Sequence, residues 1–134
     1  MSLVLESLEM VADRVGDPVP FVYERLFARN PDMRDLFVRD TNDLVKGEML
    51  AQVIECLVDF TGDRRYAANM IPSELRNHEN LGVPPAVFAT FFGTVMETFR
   101  DLLGADWTPE MDREWRNLLS GLDALIGDLA AAHA

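Results

Sequence analysis

The sequence predicts an all-α domain, and three observations carry that prediction. Apolar residues recur at helical spacing through nearly every stretch of the 134-residue chain. Proline and glycine fall between those stretches, where helices start and stop. No stretch alternates apolar and polar residues at period two for long enough to make a strand. About seven helices of unequal length are expected, two of them short. Such a set fits a globule of crossing helices around an internal site better than a regular four-helix bundle, whose neighbours match in length.

Taken in order, residues 3 to 15 place Val4, Leu8, Val11 and Val15 at helical spacing. Asp17-Pro18 reads as a cap followed by a first-turn proline, opening a second helix with Val19, Val22, Tyr23, Leu26 and Phe27 on one side. Asn30-Pro31 repeats the signal for a short helix ending near Phe37, and the polar run 38 to 43 reads as a loop. Leu50, Val53, Ile54 and Leu57 then mark a strongly amphipathic helix that Thr61-Gly62-Asp63 closes. A weaker helical stretch follows. Pro72 interrupts it and, with Ser73, starts a short helix through His78 that Gly82 ends. Pro84-Pro85 opens the most apolar helix, 86 to 103, with Val87, Phe88, Phe91, Phe92, Val95, Met96, Phe99 and Leu102, and Gly104 stops it. Thr108-Pro109-Glu110 caps a last helix through Trp115, Leu118, Leu119, Leu122, Leu125, Ile126 and Leu129.

Composition narrows the class. At this length one core is expected, with residues 1–134 forming one domain able to bury about 68% of its unfolded surface. Cys56 is the single cysteine, which excludes an internal disulfide and any Cys-rich zinc site and fits a reducing compartment. With 23 Asp and Glu against 12 Lys and Arg, the net charge of −11 argues against nucleic acid and anionic membrane surfaces as partners. The sequence shows neither a basic start with an apolar signal stretch nor an apolar run of ~20 residues, so a cytoplasmic location is expected.

The familiar catalytic motifs are missing: there is no Gly-rich phosphate loop, nucleophile elbow, His-Glu-x-x-His or calcium loop. Of the two histidines, His133 lies in the Ala-rich tail, so histidine chemistry falls on His78. The commonplace reading of one histidine in a helix is a surface or satisfied residue. Its surroundings point further. His78 ends a short helix just before the most apolar one, and a neutral imidazole is a good axial ligand for haem iron if an acceptor holds its other nitrogen. The Glu74 carbonyl, one turn earlier, lies in the right direction for that.

The stretch from Phe21 to Phe37, with Tyr23, Asn30-Pro31 and Leu36-Phe37 in order, resembles the second and third helices of bacterial single-domain haemoglobins and of flavohaemoglobin globin domains. His78-Glu79-Asn80-Leu81-Gly82-Val83 resembles their proximal-histidine corner, and Thr108-Pro109-Glu110 with Trp115 the start of their final helix. The likeness covers nearly the whole chain without a large insertion. It implies a globin fold around a pocket for haem b, with His78 as iron ligand, Phe37 wedged against the ring and Val83 touching its proximal side. Tyr23 would donate a hydrogen bond to bound O2, and Leu50 would be an apolar distal residue.

Lys46, the chain's only lysine, falls where the family usually has a distal Gln or His. Three readings of it stay open: a solvated side chain, an ion pair with a haem propionate, or iron coordination by a deprotonated amine. Phe88 replaces the family's proximal Tyr, and the matching Glu position falls near Ala130, which removes that route to peroxidase-like activation. The implied function is reversible binding of O2, and of NO as another diatomic gas, for oxygen delivery or NO detoxification. As an enzyme the chain would be an NO dioxygenase only with electrons from an external reductase. The protein would be a monomer or homodimer. The rival reading is a haem-free globin-like signalling or partner-binding module.

Overall fold

The structure, a computed structural model, describes residues 2–37, 40 and 44–132. Most of the expected 38–43 loop and His133 lie outside them. Six α-helices follow one another: α1 Leu3–Val15, α2 Val19–Arg29, α3 Leu44–Phe60, α4 Arg65–Asn80, α5 Pro85–Leu103 and α6 Pro109–Ala132. Short 3-10 segments lie at Pro31–Phe37 and Gly104–Asp106, and no strand occurs among the described residues.

Two of the helix caps, at Asp17 and Thr108, are those the sequence signals, and Ser2 adds a third. Ser2 Oγ accepts from Leu5 N at 3.1 Å, Asp17 Oδ1 from Val19 N at 3.0 Å, and Thr108 Oγ1 from Met111 N at 3.1 Å. Each satisfies a first-turn donor that has no partner inside its helix. Asp59, near the end of α3, caps its successor across the corner, its Oδ2 accepting from Ala67 N at 2.8 Å.

One expectation is corrected. Pro72 starts no helix of its own; it lies inside α4, which runs unbroken from Arg65 to Asn80. Proline removes one bond to the carbonyl four residues back, here that of Ala68, an exposed residue. Water can take up a carbonyl at such a position, while Ala67, Ile71 and Leu75 are buried at four-residue spacing. Packing of that stripe holds the helix across its proline.

Trp115 of α6 is the largest fully buried side chain. It stands edge-on to Phe99 of α5, with ring centroids 6.1 Å apart and planes at 89°. Its Nε1–H donates to Ser7 Oγ at 2.8 Å, and the Ser7 hydroxyl donates in turn to the Val4 carbonyl at 2.6 Å. This chain fastens α1 to α6 with every polar atom satisfied. Between α3 and α6 a Cβ at Gly121 would lie 2.8 Å from Phe60 Cε2, so any larger residue would force that ring to move. On the surface Arg25 pairs with Asp101 and Glu97, and Arg29 with Glu97, joining α2 to α5. Exposed pairs of this kind contribute about 0–1 kcal/mol each. Cys56 is wholly buried, and burial, assisted by the Asp59 charge, pushes its thiol up to about 12, which leaves it a packing group.

Ser7→Ala strands the indole N–H inside the core. We expect urea unfolding to show a loss of about 1–3 kcal/mol, whereas an equal truncation at exposed Ser73 should leave stability nearly unchanged.

Candidate functional site

α4 ends in a turn that explains where the candidate ligand sits. The Val83 N–H donates back to the His78 carbonyl at 2.8 Å, the Gly82 N–H to the Glu79 carbonyl at 3.0 Å, and Gly82 has φ +87°. This paired closure needs a left-handed residue just past the helix, which glycine supplies at no steric cost. It reverses the chain so that Val83 returns to the wall of the same cleft as His78. Pro84 and Pro85 then start α5 without requiring N–H partners.

The enclosed space of that cleft is about 80 Å3, below the usual range for small-molecule sites of about 300–1,000 Å3. α5 contributes Val87, Phe88, Phe91 and Phe92 to it, and α3 contributes Met49, Gln52 and Val53. The Pro31–Phe37 segment adds Met33, Leu36 and Phe37, α2 adds Leu26, and α4 adds Met70, Glu74 and His78. Apart from Gln52, Glu74 and His78 the lining is apolar. A second hollow of about 480 Å3, between α5 and α6, is bordered largely by small residues with Asp123 as its single charged group.

The imidazole is aimed by its own helix. Nδ1 of His78 lies 2.7 Å from the Glu74 carbonyl oxygen, which can only accept, so Nδ1 carries the hydrogen and, in the neutral ring, Nε2 is the nitrogen with the lone pair. Phe88 packs edge-on against the ring with centroids 5.1 Å apart. Oε2 of Glu74 stands 3.8 Å from the same Nδ1. Among the described residues no group of three or more His, Cys, Asp or Glu could hold a metal ion. A metal on His78 would have to bring its other ligands with it.

Of the residues singled out in the sequence, the structure brings His78, Phe37, Val83 and Phe88 together in the cleft wall. Tyr23, Lys46 and Leu50 lie outside that wall. Tyr23 is buried behind Phe37, with ring centroids 5.6 Å apart, and its hydroxyl donates to the Lys46 carbonyl at 3.0 Å. Burial first, and the Asp40 charge second, push its phenol up and keep it protonated. Lys46 extends its ammonium to 3.5 Å from Asp40 Oδ2 and 5.3 Å above the Phe37 ring. Leu50 is 2% exposed and packs in the core. On α3 the cleft-facing set is Met49, Gln52 and Val53, at i, i+3 and i+4. Three methionines in the wall, Met33, Met49 and Met70, also escape a search for polar chemistry, because thioethers read as ordinary core residues.

The first turn of α3 is held from outside the helix. Asp40 accepts from Val45 N at 2.8 Å and Lys46 N at 3.1 Å. Burial opposes ionisation of this carboxyl, but those two N–H donors and the Lys46 ammonium outweigh it and hold it below the ordinary carboxylate range.

A family model described as globin matches residues 20–126, which is most of the chain. No curated protein and no solved structure matches it.

Two expectations follow from the α3 anchor. A carboxyl with a lowered folded-state pKa stabilises above its unfolded value, about 3.9, and loses that contribution as pH falls through the lower folded value. The stability gap between the wild type and Asp40→Asn should therefore be full at neutral pH and close below about pH 4, as read by urea titrations across pH. Tyr23→Phe should cost about 1 kcal/mol for the lost hydrogen bond, measured in the same titration at neutral pH.

Proposed function

The chain belongs to the globin family, and on that premise we propose that its cleft takes up a haem b whose iron is bound by His78. Globins as a family bind haem and diatomic gases, and no helix among the described residues is long and apolar enough to cross a membrane. The observation that carries the reading is the state of His78. A single imidazole lines an apolar cleft, its Nδ1–H committed to the Glu74 carbonyl, so that in the neutral ring Nε2 is the nitrogen left to bind a metal.

The fit has three further supports. Phe37, Phe88, Phe91 and Phe92 give the walls the flat apolar surface that a planar macrocycle requires. Val83 stands beside the ligand on the same turn. The carbonyl contact fixes one tautomer, as the outer nitrogen of a metal-bound histidine requires.

Bound there, the haem would supply an iron with affinity for diatomic gases. The chain's part is to hold that iron by one imidazole, exclude water with aromatic and thioether side chains, and limit polar contact on the α3 side to Gln52. Tyr23 contributes through the framework: it backs Phe37 and anchors α3 through the Lys46 carbonyl. Reversible gas binding is the function this arrangement serves, and NO detoxification would draw its electrons from a separate reductase.

Purified protein should show an intense Soret band with haem bound one to one, either as isolated or after titration with haemin, and His78→Ala should lose it. A wild type that takes up no haem would overturn this reading in favour of a haem-free globin module. An unchanged spectrum in His78→Ala would remove His78 as the ligand.

A further inference from the structure

We propose that the Glu74 carboxylate is a positioning group that makes His78 a stronger electron donor to the haem iron and so biases the iron toward its oxidised state. This rests on the haem reading of the cleft. Glu74 meets the imidazole twice: its backbone carbonyl accepts the Nδ1–H at 2.7 Å, and Oε2 of its side chain lies 3.8 Å from the same nitrogen. The carbonyl fixes the ring and the tautomer. The carboxylate, too distant to take the hydrogen bond, adds a negative charge on the N–H side.

A negative charge there polarises the N–H and moves electron density toward Nε2, which raises the basicity of the ring as a ligand. A more basic ligand favours the higher charge on the metal. The side chains of Glu74 and His78 are only 26% and 20% exposed, so water screens the pair incompletely. Glu74 also lines the cleft itself. No second element is involved, because residues 74 and 78 share one turn of α4.

The test is the midpoint potential of the haem-loaded protein, with resonance Raman of the iron–histidine stretch. Glu74→Gln keeps the backbone carbonyl and the side-chain size while removing the charge. We expect it to retain haem, shift the reduction equilibrium roughly tenfold toward the ferrous form, about 59 mV for one electron, and lower the stretching frequency. Glu74→Asp keeps the charge and should stay near the wild-type potential. Glu79→Gln removes an exposed charge next to His78 in sequence and should shift the potential several times less.

Three results would overturn the proposal: an unchanged potential in Glu74→Gln, equal shifts in Glu74→Gln and Glu79→Gln, or a Glu74→Asp variant that behaves like Glu74→Gln. Failure of the wild type to take up haem is seen before any variant is made. It would defeat the haem reading first and this proposal with it.

Discussion

The hydrogen bond from the Nδ1–H of His78 to the Glu74 carbonyl is the contact on which the site depends. It places the hydrogen on Nδ1 and orients the ring against Phe88, leaving Nε2 as the ligating nitrogen of the neutral ring. It also requires residues 74 to 78 to be helical, and that requirement reaches back along α4. The helix must persist across Pro72, which it does because Ala67, Ile71 and Leu75 are buried in packing while the Ala68 carbonyl sits at an exposed residue. Beyond the ligand, Gly82 must adopt a left-handed conformation so that the helix closes and Val83 comes back to the wall. Core packing, one glycine and one hydrogen bond together set the direction of a single imidazole.

The other side of the cleft has its own anchor. α3 is not the strongly amphipathic helix its spacing predicts: besides its buried stripe it exposes Leu44, Val45 and Val58, so packing alone leaves its rotation loosely specified. Polar contacts at its first turn fix it. Asp40 takes the Val45 and Lys46 N–H groups, Tyr23 donates to the Lys46 carbonyl, and the Lys46 ammonium lies over Phe37. Phe37 is then shared, lining the cleft while packing edge-on with Tyr23. The aromatic wall and the helix start are therefore mechanically joined.

Much of this was legible in the sequence. Asp17-Pro18 and Thr108-Pro109 announce helix starts by the chemistry of their caps, and both side chains bond as that chemistry requires. His78 stood out because it is one of two histidines and precedes a glycine turn. Pro72 misled, because the penalty for a proline in a helix is local while the packing that offsets it comes from residues on other helices. The cleft face of α3 was hidden for a related reason. Periodicity marks Leu50, Val53 and Leu57 as inward-facing, but it does not distinguish the residues that fill the core from those that border a cavity. Leu50 went to the first and Val53, with Met49 and Gln52, to the second. Glu74 was legible only as a carbonyl. Its carboxylate could be placed beside the ring only once the rotamers of both side chains were known.

The proline in α4 has one more effect. A helix lacking one rung of its ladder bends most easily at that rung, and Pro72 puts the weak rung before Glu74 rather than between Glu74 and His78. Any flexing of α4 at Pro72 swings its C-terminal half as a rigid arm, with the imidazole and the carbonyl that aims it carried together. A bend there would leave the angle between ring and backbone unchanged.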